Sequence, residues 1–184
     1  MLSAVNTGDR AALDRALDRL RQALATARVG HRSRAMLLAG VGIGLTWRFG
    51  WTGELKDLDA GIDAIQQAIE ATPAEDPVRA IWLTGLSTAL AQRAKETGAL
   101  ADLDEALDAV RQAIGATPAD HPDRAVRLSN LATTLQTRYE RTSALADLDA
   151  AVDAARQAVE VIPLGHPIRA TLLATLGSAL TRRF

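Results

Sequence analysis

The strongest constraint on this chain is that it repeats itself. The stretches ALADLDEALDAVRQAIGATPADHP (99–122) and ALADLDAAVDAARQAVEVIPLGHP (144–167) are nearly the same text 45 residues apart. The period runs from end to end: Asp14, Asp59, Asp104 and Asp149 fall in register, as do Asp18, Asp63, Asp108 and Asp153. Gln22, Gln67, Gln112 and Gln157 follow the same spacing, and so do Arg34, Arg79, Arg124 and Arg169. A fixed period of this length is the mark of a stacked array, in which each unit buries its apolar face only against its neighbours. The reading is one array over 1–184, with periods near 5–49, 50–94, 95–139 and 140–184.

Each period holds two amphipathic helices. Leu58, Gly61, Ile62, Ile65, Ala68 and Ile69 share one helical face, with Asp59, Asp63, Gln66, Gln67 and Glu70 on the opposite sector. Leu83, Leu86 and Leu90 line a face of the next helix. The segments ATPAEDPVRA, ATPADHPDRA and VIPLGHPIRA put one proline past a helix end and another near the next first turn, while TGEL, TGAL and TSAL supply the alternate turns. Asp102 with Glu105 has the spacing of a capping box. Helices are expected near 9–27, 33–49, 55–71, 78–96, 100–116, 123–141, 145–161 and 168–183, and no segment alternates like a strand.

Composition narrows the function. A net charge of -1, without a Lys/Arg cluster, gives no electrostatic footprint for nucleic acid. There is no cysteine, hence no thiolate ligand or cysteine nucleophile, which fits a cytoplasmic protein. No apolar run approaches the roughly 20 residues of a membrane span. Gly40, Gly42 and Gly44 alternate as in a phosphate loop, but the Rossmann spacing fails at Leu45 and no Gly-Lys-Ser/Thr follows. In the repeat, Gly42 shares a slot with Ser87, Ala132 and Gly177, and Gly44 with Ala89, Thr134 and Ala179, which makes them small packing positions. His31, His121 and His166 recur before a helix, with Asp76 in the remaining slot, and are assigned to loops or caps because stacked equivalents lie roughly a helix diameter, about 10 Å, apart. Asp59 and Asp63, one turn apart, call for a cation, and the Arg34, Arg79, Arg124 and Arg169 series is the expected partner. No metal, cofactor or catalytic triad emerges, and the chain is read as a non-enzyme.

The offsets of small and large residues resemble the tetratricopeptide repeat. The first-type helices read Leu38-x-x-Val41-Gly42-x-x-Leu45, Leu83-x-x-Leu86-Ser87-x-x-Leu90, Leu128-x-x-Leu131-Ala132-x-x-Leu135 and Leu173-x-x-Leu176-Gly177-x-x-Leu180. The second type reads Gly61, Ile65 and Pro73, then Ala106, Val110 and Pro118, then Ala151, Ala155 and Pro163. The unit departs from the family in length and in using Leu where aromatics are typical; longer units of this kind resemble repeats of large bacterial multidomain proteins, some with a caspase-like domain that this sequence does not hold. The resemblance implies an all-α fold, an α-solenoid of antiparallel helix pairs in a right-handed superhelix with about eight helices.

The resemblance also implies a concave groove on the first-type helices that holds a peptide or partner helix. Carried over by position, it would show Met36, Ala39, Gly40, Ile43 and Trp47, then Ile81, Thr84, Thr88 and Gln92. Val126, Ser129, Asn130, Thr133 and Thr137 follow, then Thr171, Thr175, Ser178 and Arg182. The expected role is a non-catalytic interaction scaffold with an apolar anchor at Ile43 and Trp47 and hydrogen bonding along the Thr-rich half. In this register the sequence opens on a stub of a first-type helix at Met1 to Ala4 and stops on a first-type helix that still shows Leu172, Leu173, Leu176 and Leu180. Homo-oligomerisation through these uncapped terminal helices is the alternative role.

Overall fold

The computed structural model describes residues 2–27 and 32–183, and side chains from residue 10 onward within them. Eight helices occupy the described residues: α1 (Leu2–Thr26), α2 (Arg32–Thr52), α3 (Leu55–Glu70), α4 (Val78–Thr97), α5 (Leu100–Gly115), α6 (Asp123–Thr142), α7 (Leu145–Val161) and α8 (Arg169–Arg183). Their bounds follow the expected ones closely except at the start. The stub and the helix from residue 9 are instead one helix, α1, because nothing in Asn6-Thr7-Gly8-Asp9 forbids continuation: an interior Gly costs only about 1 kcal/mol and there is no proline. Met1 of that stub and His31 lie outside the described residues.

The helices cluster into two compact units, one up to Ala89 and one from Leu90. In the first, α1 packs on α2 and α2 on α3. Its core joins Leu17, Val41, Leu45 and Ala64, with Leu13 and Leu20 against them. The α2–α3 crossing is very close. A Cβ at Gly42 would overlap Ile65 Cγ1 and stand 2.7 Å from the Gly61 carbonyl oxygen, and one at Gly44 would stand 2.8 Å from Leu17 Cδ2. These glycines are therefore packing slots, and GVGIG is the interior of α2.

In the second unit α5 packs on α6, α6 on α7 and α7 on α8. One core cluster gathers Leu107, Ala132, Leu135, Ala151, Val152, Ala155 and Ala179; another joins Ala125, Leu128, Ala158, Ile162 and Leu172. Small residues let the backbones approach, and the interleaved Leu, Ile and Val side chains supply the buried apolar area. The whole predicted face of α3, from Leu58 to Ile69, is buried.

Among the described residues, both kinds of loop recur with the same bonding. After each first-type helix the chain turns through a left-handed residue, Gly53 (φ 68°), Gly98 (φ 77°) or Ser143 (φ 56°), whose N–H donates to the carbonyl four residues back. The preceding threonine then accepts from the start of the next helix, at Thr52, Thr97 and Thr142. After α3, α5 and α7, Asp76 Oδ1, His121 Nδ1 and His166 Nδ1 accept from the N–H of Val78, Asp123 and Ile168, so these three slots satisfy a backbone donor where the next helix begins.

Candidate functional site

Two arginine series fix the helices that present the outer faces, and one corrects a sequence expectation. Arg79, Arg124 and Arg169 do not pair with the Asp59 and Asp63 series. Arg124 Nη1 donates to the carbonyls of Ile114 (2.8 Å) and Thr117 (3.0 Å), Arg169 to Val159 and Ile162, Arg79 to Ile69 and Thr72, and Arg34 to Leu24. The reason is placement. These residues open a first-type helix, beside the end of the preceding helix, where carbonyls lack intrahelical donors and the dipole is negative.

The carboxylates are held by a second series at the other end of the first-type helices. Arg48 grips Asp57 through Nε and Nη2 at 2.8 and 2.6 Å, Arg93 grips Asp102 at 2.8 and 2.8 Å, and Arg138 grips Asp147 at 3.0 and 2.6 Å. The same guanidinium reaches back to the previous second-type helix, Arg48 to Asp14 and Arg138 to Asp104, as Arg183 does to Asp149. Asp57, Asp102 and Asp147 are buried, and the bidentate geometry matches a planar guanidinium to a carboxylate. Hydrogen bonding from Arg48 holds the Asp57 carboxyl below its usual range, and Asp57 in turn raises Arg48. Asp102 is thus engaged by Arg93 rather than forming a capping box with Glu105; Ala99 is the N-cap and makes no side-chain cap bond. The signal was present in the sequence, since Arg48, Arg93, Arg138 and Arg183 share the 45-residue period.

With those anchors in place, the face expected to bind a partner can be described within each unit. In the first, Met36, Ile43 and Trp47 follow helical spacing along α2, and Ile81 is the in-register residue of α4. Met36 is 56%, Trp47 66% and Ile81 46% exposed, and Trp51 one turn on is also exposed. Ile43 is half-buried and Gly85 of α4 lies beside it, its Cβ position 3.7 Å from Ile43 Cγ1. Ala39 leaves the expected set: it is wholly buried, because its side chain points into the helix packing. Gly40 is half-buried, its Cβ position 3.4 Å from Leu20 Cδ1. Thr88 is exposed on α4.

The second unit carries the polar members. Thr133 and Arg182 are exposed, and Gln92 and Asn130 half-buried. Arg182 is ion-paired with Glu140, Ser178 donates to Gln136 Oε1, and Ser129 and Thr175 share a hydrogen bond of 3.3 Å. The threonines of both units bond to their own helices: Thr84 to Ala80 O, Thr88 to Thr84 O, Thr133 to Ser129 O, Thr137 to Thr133 O and Thr175 to Thr171 O. Among the described residues no cluster of His, Asp or Glu has metal-binding geometry, and no helix is long and apolar enough to cross a membrane.

Helical hairpins repeated at a constant period, packed through small residues at fixed slots, define an all-α helical-repeat protein of the α-solenoid class. The family model for the tetratricopeptide repeat matches residues 79–123 and 124–168, two consecutive segments of one period each. The chain is a tetratricopeptide repeat protein. Its fold is shared with crystal structures from Podosopora anserina of a protein described as a putative kinesin light chain with nearly identical TPR-like repeats. That structure is 18% identical over 97% of this chain and 82% of the other, with a TM-score of 0.69; a variant of it with one glutamine replaced by methionine gives the same identity and coverage and a TM-score of 0.70. A comparison with curated proteins gives no match. Tetratricopeptide repeats generally mediate protein–protein interaction or scaffolding.

Proposed function

We propose that the chain is a non-catalytic scaffold that seats a peptide or partner helix on the outward face of its first-type helices. The observation that supports this most is the apolar row of the first unit: Met36, Trp47 and Ile81 stay exposed, and Ile43 half-exposed, on helices whose other large apolar residues are largely buried. An exposed aromatic flanked by aliphatic side chains is the composition of an interaction hot spot rather than of a solvated surface. Ile43, Trp47, Met36 and Ile81 are the anchors for apolar side chains of the partner. Thr88, Gln92, Asn130, Thr133 and Arg182 supply polar contacts, each within its own unit.

A pull-down from a peptide pool with wild type, Trp47→Ala and Asn130→Ala tests the reading. Trp47 is exposed enough that its truncation leaves stability within about 0.5 kcal/mol of wild type, while removal of a hot-spot aromatic weakens retained peptides by roughly 2 kcal/mol, about thirtyfold. An unchanged set of peptides with both variants would refute this site.

A further inference from the structure

We propose that Met36 is an oxidation site at which hydrogen peroxide, by turning the thioether into a sulfoxide, weakens docking on the apolar row of the first unit. The inference rests on the reading of that row as a partner's seat and adds a means of regulating it.

Position and composition together carry it. Met36 is the only methionine among the described residues and is 56% exposed, and the chain holds no cysteine whose thiolate would take the oxidant first. The exposure belongs to the slot, since Ile81 and Val126, its equivalents in the next two periods, are 46% and 41% exposed. Of the four residues in this slot, Met36, Ile81, Val126 and Thr171, only the first carries sulfur. Its neighbours one turn to either side are small: Ser33 is exposed and Gly40 has no side chain, so the thioether is open to approach.

In the reaction the sulfur lone pair attacks one peroxide oxygen, the O–O bond breaks as the S–O bond forms, and after proton transfer the second oxygen leaves as water. Sulfur is oxidised by two electrons and the peroxide reduced by two. The product replaces an apolar contact with a polar S=O acceptor, which an apolar partner side chain cannot satisfy once it covers the site. The fold tolerates the change. Met36 lies outside the buried core, and the fourth period places an exposed threonine, Thr171, in the same slot, so a polar group there leaves the helix packing intact. Methionine sulfoxide reductases reverse the step, which makes it a switch and not only a lesion.

Mass-spectrometric peptide mapping of the intact chain after treatment with dilute hydrogen peroxide tests the chemistry. Met36 should gain one oxygen atom with the melting temperature unchanged, and a methionine sulfoxide reductase should remove it. The peptide pool used with Trp47→Ala then tests the switch. Peptides that the reduced wild type retains and Trp47→Ala loses should bind the oxidised wild type about tenfold more weakly, the loss of one apolar anchor. Peroxide-treated Met36→Leu, which keeps the apolar volume without the sulfur, should retain them. If Trp47→Ala loses those peptides while oxidised wild type keeps them, the switch is overturned and the reading of the row stands. Met36 left unoxidised, or peroxide-treated Met36→Leu weakened as much as wild type, would also overturn it. A pool from which the reduced chain retains nothing would remove the seat, and the switch with it.

Discussion

Alanine placed at Gly42 and at Gly177 should move stability in opposite directions, although the two positions are equivalent in the repeat. The intrinsic term is the same at both, since replacing a helix-interior Gly by Ala favours the helix by about 1 kcal/mol. At position 177 nothing opposes it, because no atom lies within 4 Å of the new Cβ. At position 42 the new atom overlaps Ile65 Cγ1 and falls 2.7 Å from the Gly61 carbonyl oxygen. Ile65 can change rotamer, but the carbonyl is backbone of α3, so α2 and α3 must move apart by about 1 Å to restore van der Waals separation. Overpacking of this kind costs roughly 1–3 kcal/mol, and the backbone contact puts it at the upper end. The expected net effects are a loss of about 1–2 kcal/mol for Gly42→Ala and a gain of about 1 kcal/mol for Gly177→Ala. Urea unfolding followed by circular dichroism reads both as shifts in midpoint. A double variant with Ile65→Val removes only Cδ1, leaves the Cγ1 and carbonyl contacts in place, and should recover little. Equal or greater stability of Gly42→Ala would refute the close-crossing argument.

Three further outcomes follow from the helix ends. Asp57→Asn should destabilise the protein by about 2 kcal/mol at neutral pH and flatten its acid limb. The folded carboxyl is held low by Arg48, so its contribution is complete above the ordinary aspartate range near pH 4 and fades as pH falls through and below it. Melting temperature against pH distinguishes the two slopes, and parallel curves would count against the pairing. Arg124→Ala removes the guanidinium donor from the carbonyls of Thr117 and Ile114, the latter keeping the Thr117 N–H, and should cost about 1–2 kcal/mol, with faster amide exchange in the last turn of α5; an unchanged melting temperature would remove its capping role. Ser143→Gly should raise stability by about 1 kcal/mol, because Ser143 holds the left-handed turn that Gly53 and Gly98 adopt without a side-chain penalty. A drop in the denaturation midpoint would contradict this.

The fold was legible because the period, the prolines and the small-residue slots each point to helical hairpins, and the bounds of α2 to α8 follow from them. The charge network was legible only as a recurrence. Asp59, Asp63 and the Arg34 series stand out in the text, but which groups meet depends on which helix ends lie side by side. A residue opening a first-type helix meets the carbonyl end of the helix before it, and one closing that helix meets the start of the helix after it. Applied to Arg79 and Arg93, that rule separates a carbonyl cap from a carboxylate clamp. In the candidate site, the exposure of Met36, Trp47 and Ile81 agrees with outward placement on the first-type helices, whereas Ala39 departs from it because a small apolar residue fits a surface or a tight contact equally well in one dimension.

The threonines alter what the polar side of this surface can say to a partner. Because Thr88, Thr133 and Thr137 donate their hydroxyl hydrogens to the carbonyl one turn back, they turn methyl groups and oxygen lone pairs outward. These hydroxyls therefore offer acceptors and no donor, and the donors of this face are the amides of Gln92 and Asn130 and the guanidinium of Arg182. A segment lying over the threonines would gain from lysine, arginine, tryptophan indole or side-chain amide N–H groups, and a carboxylate placed there would meet oxygen against oxygen.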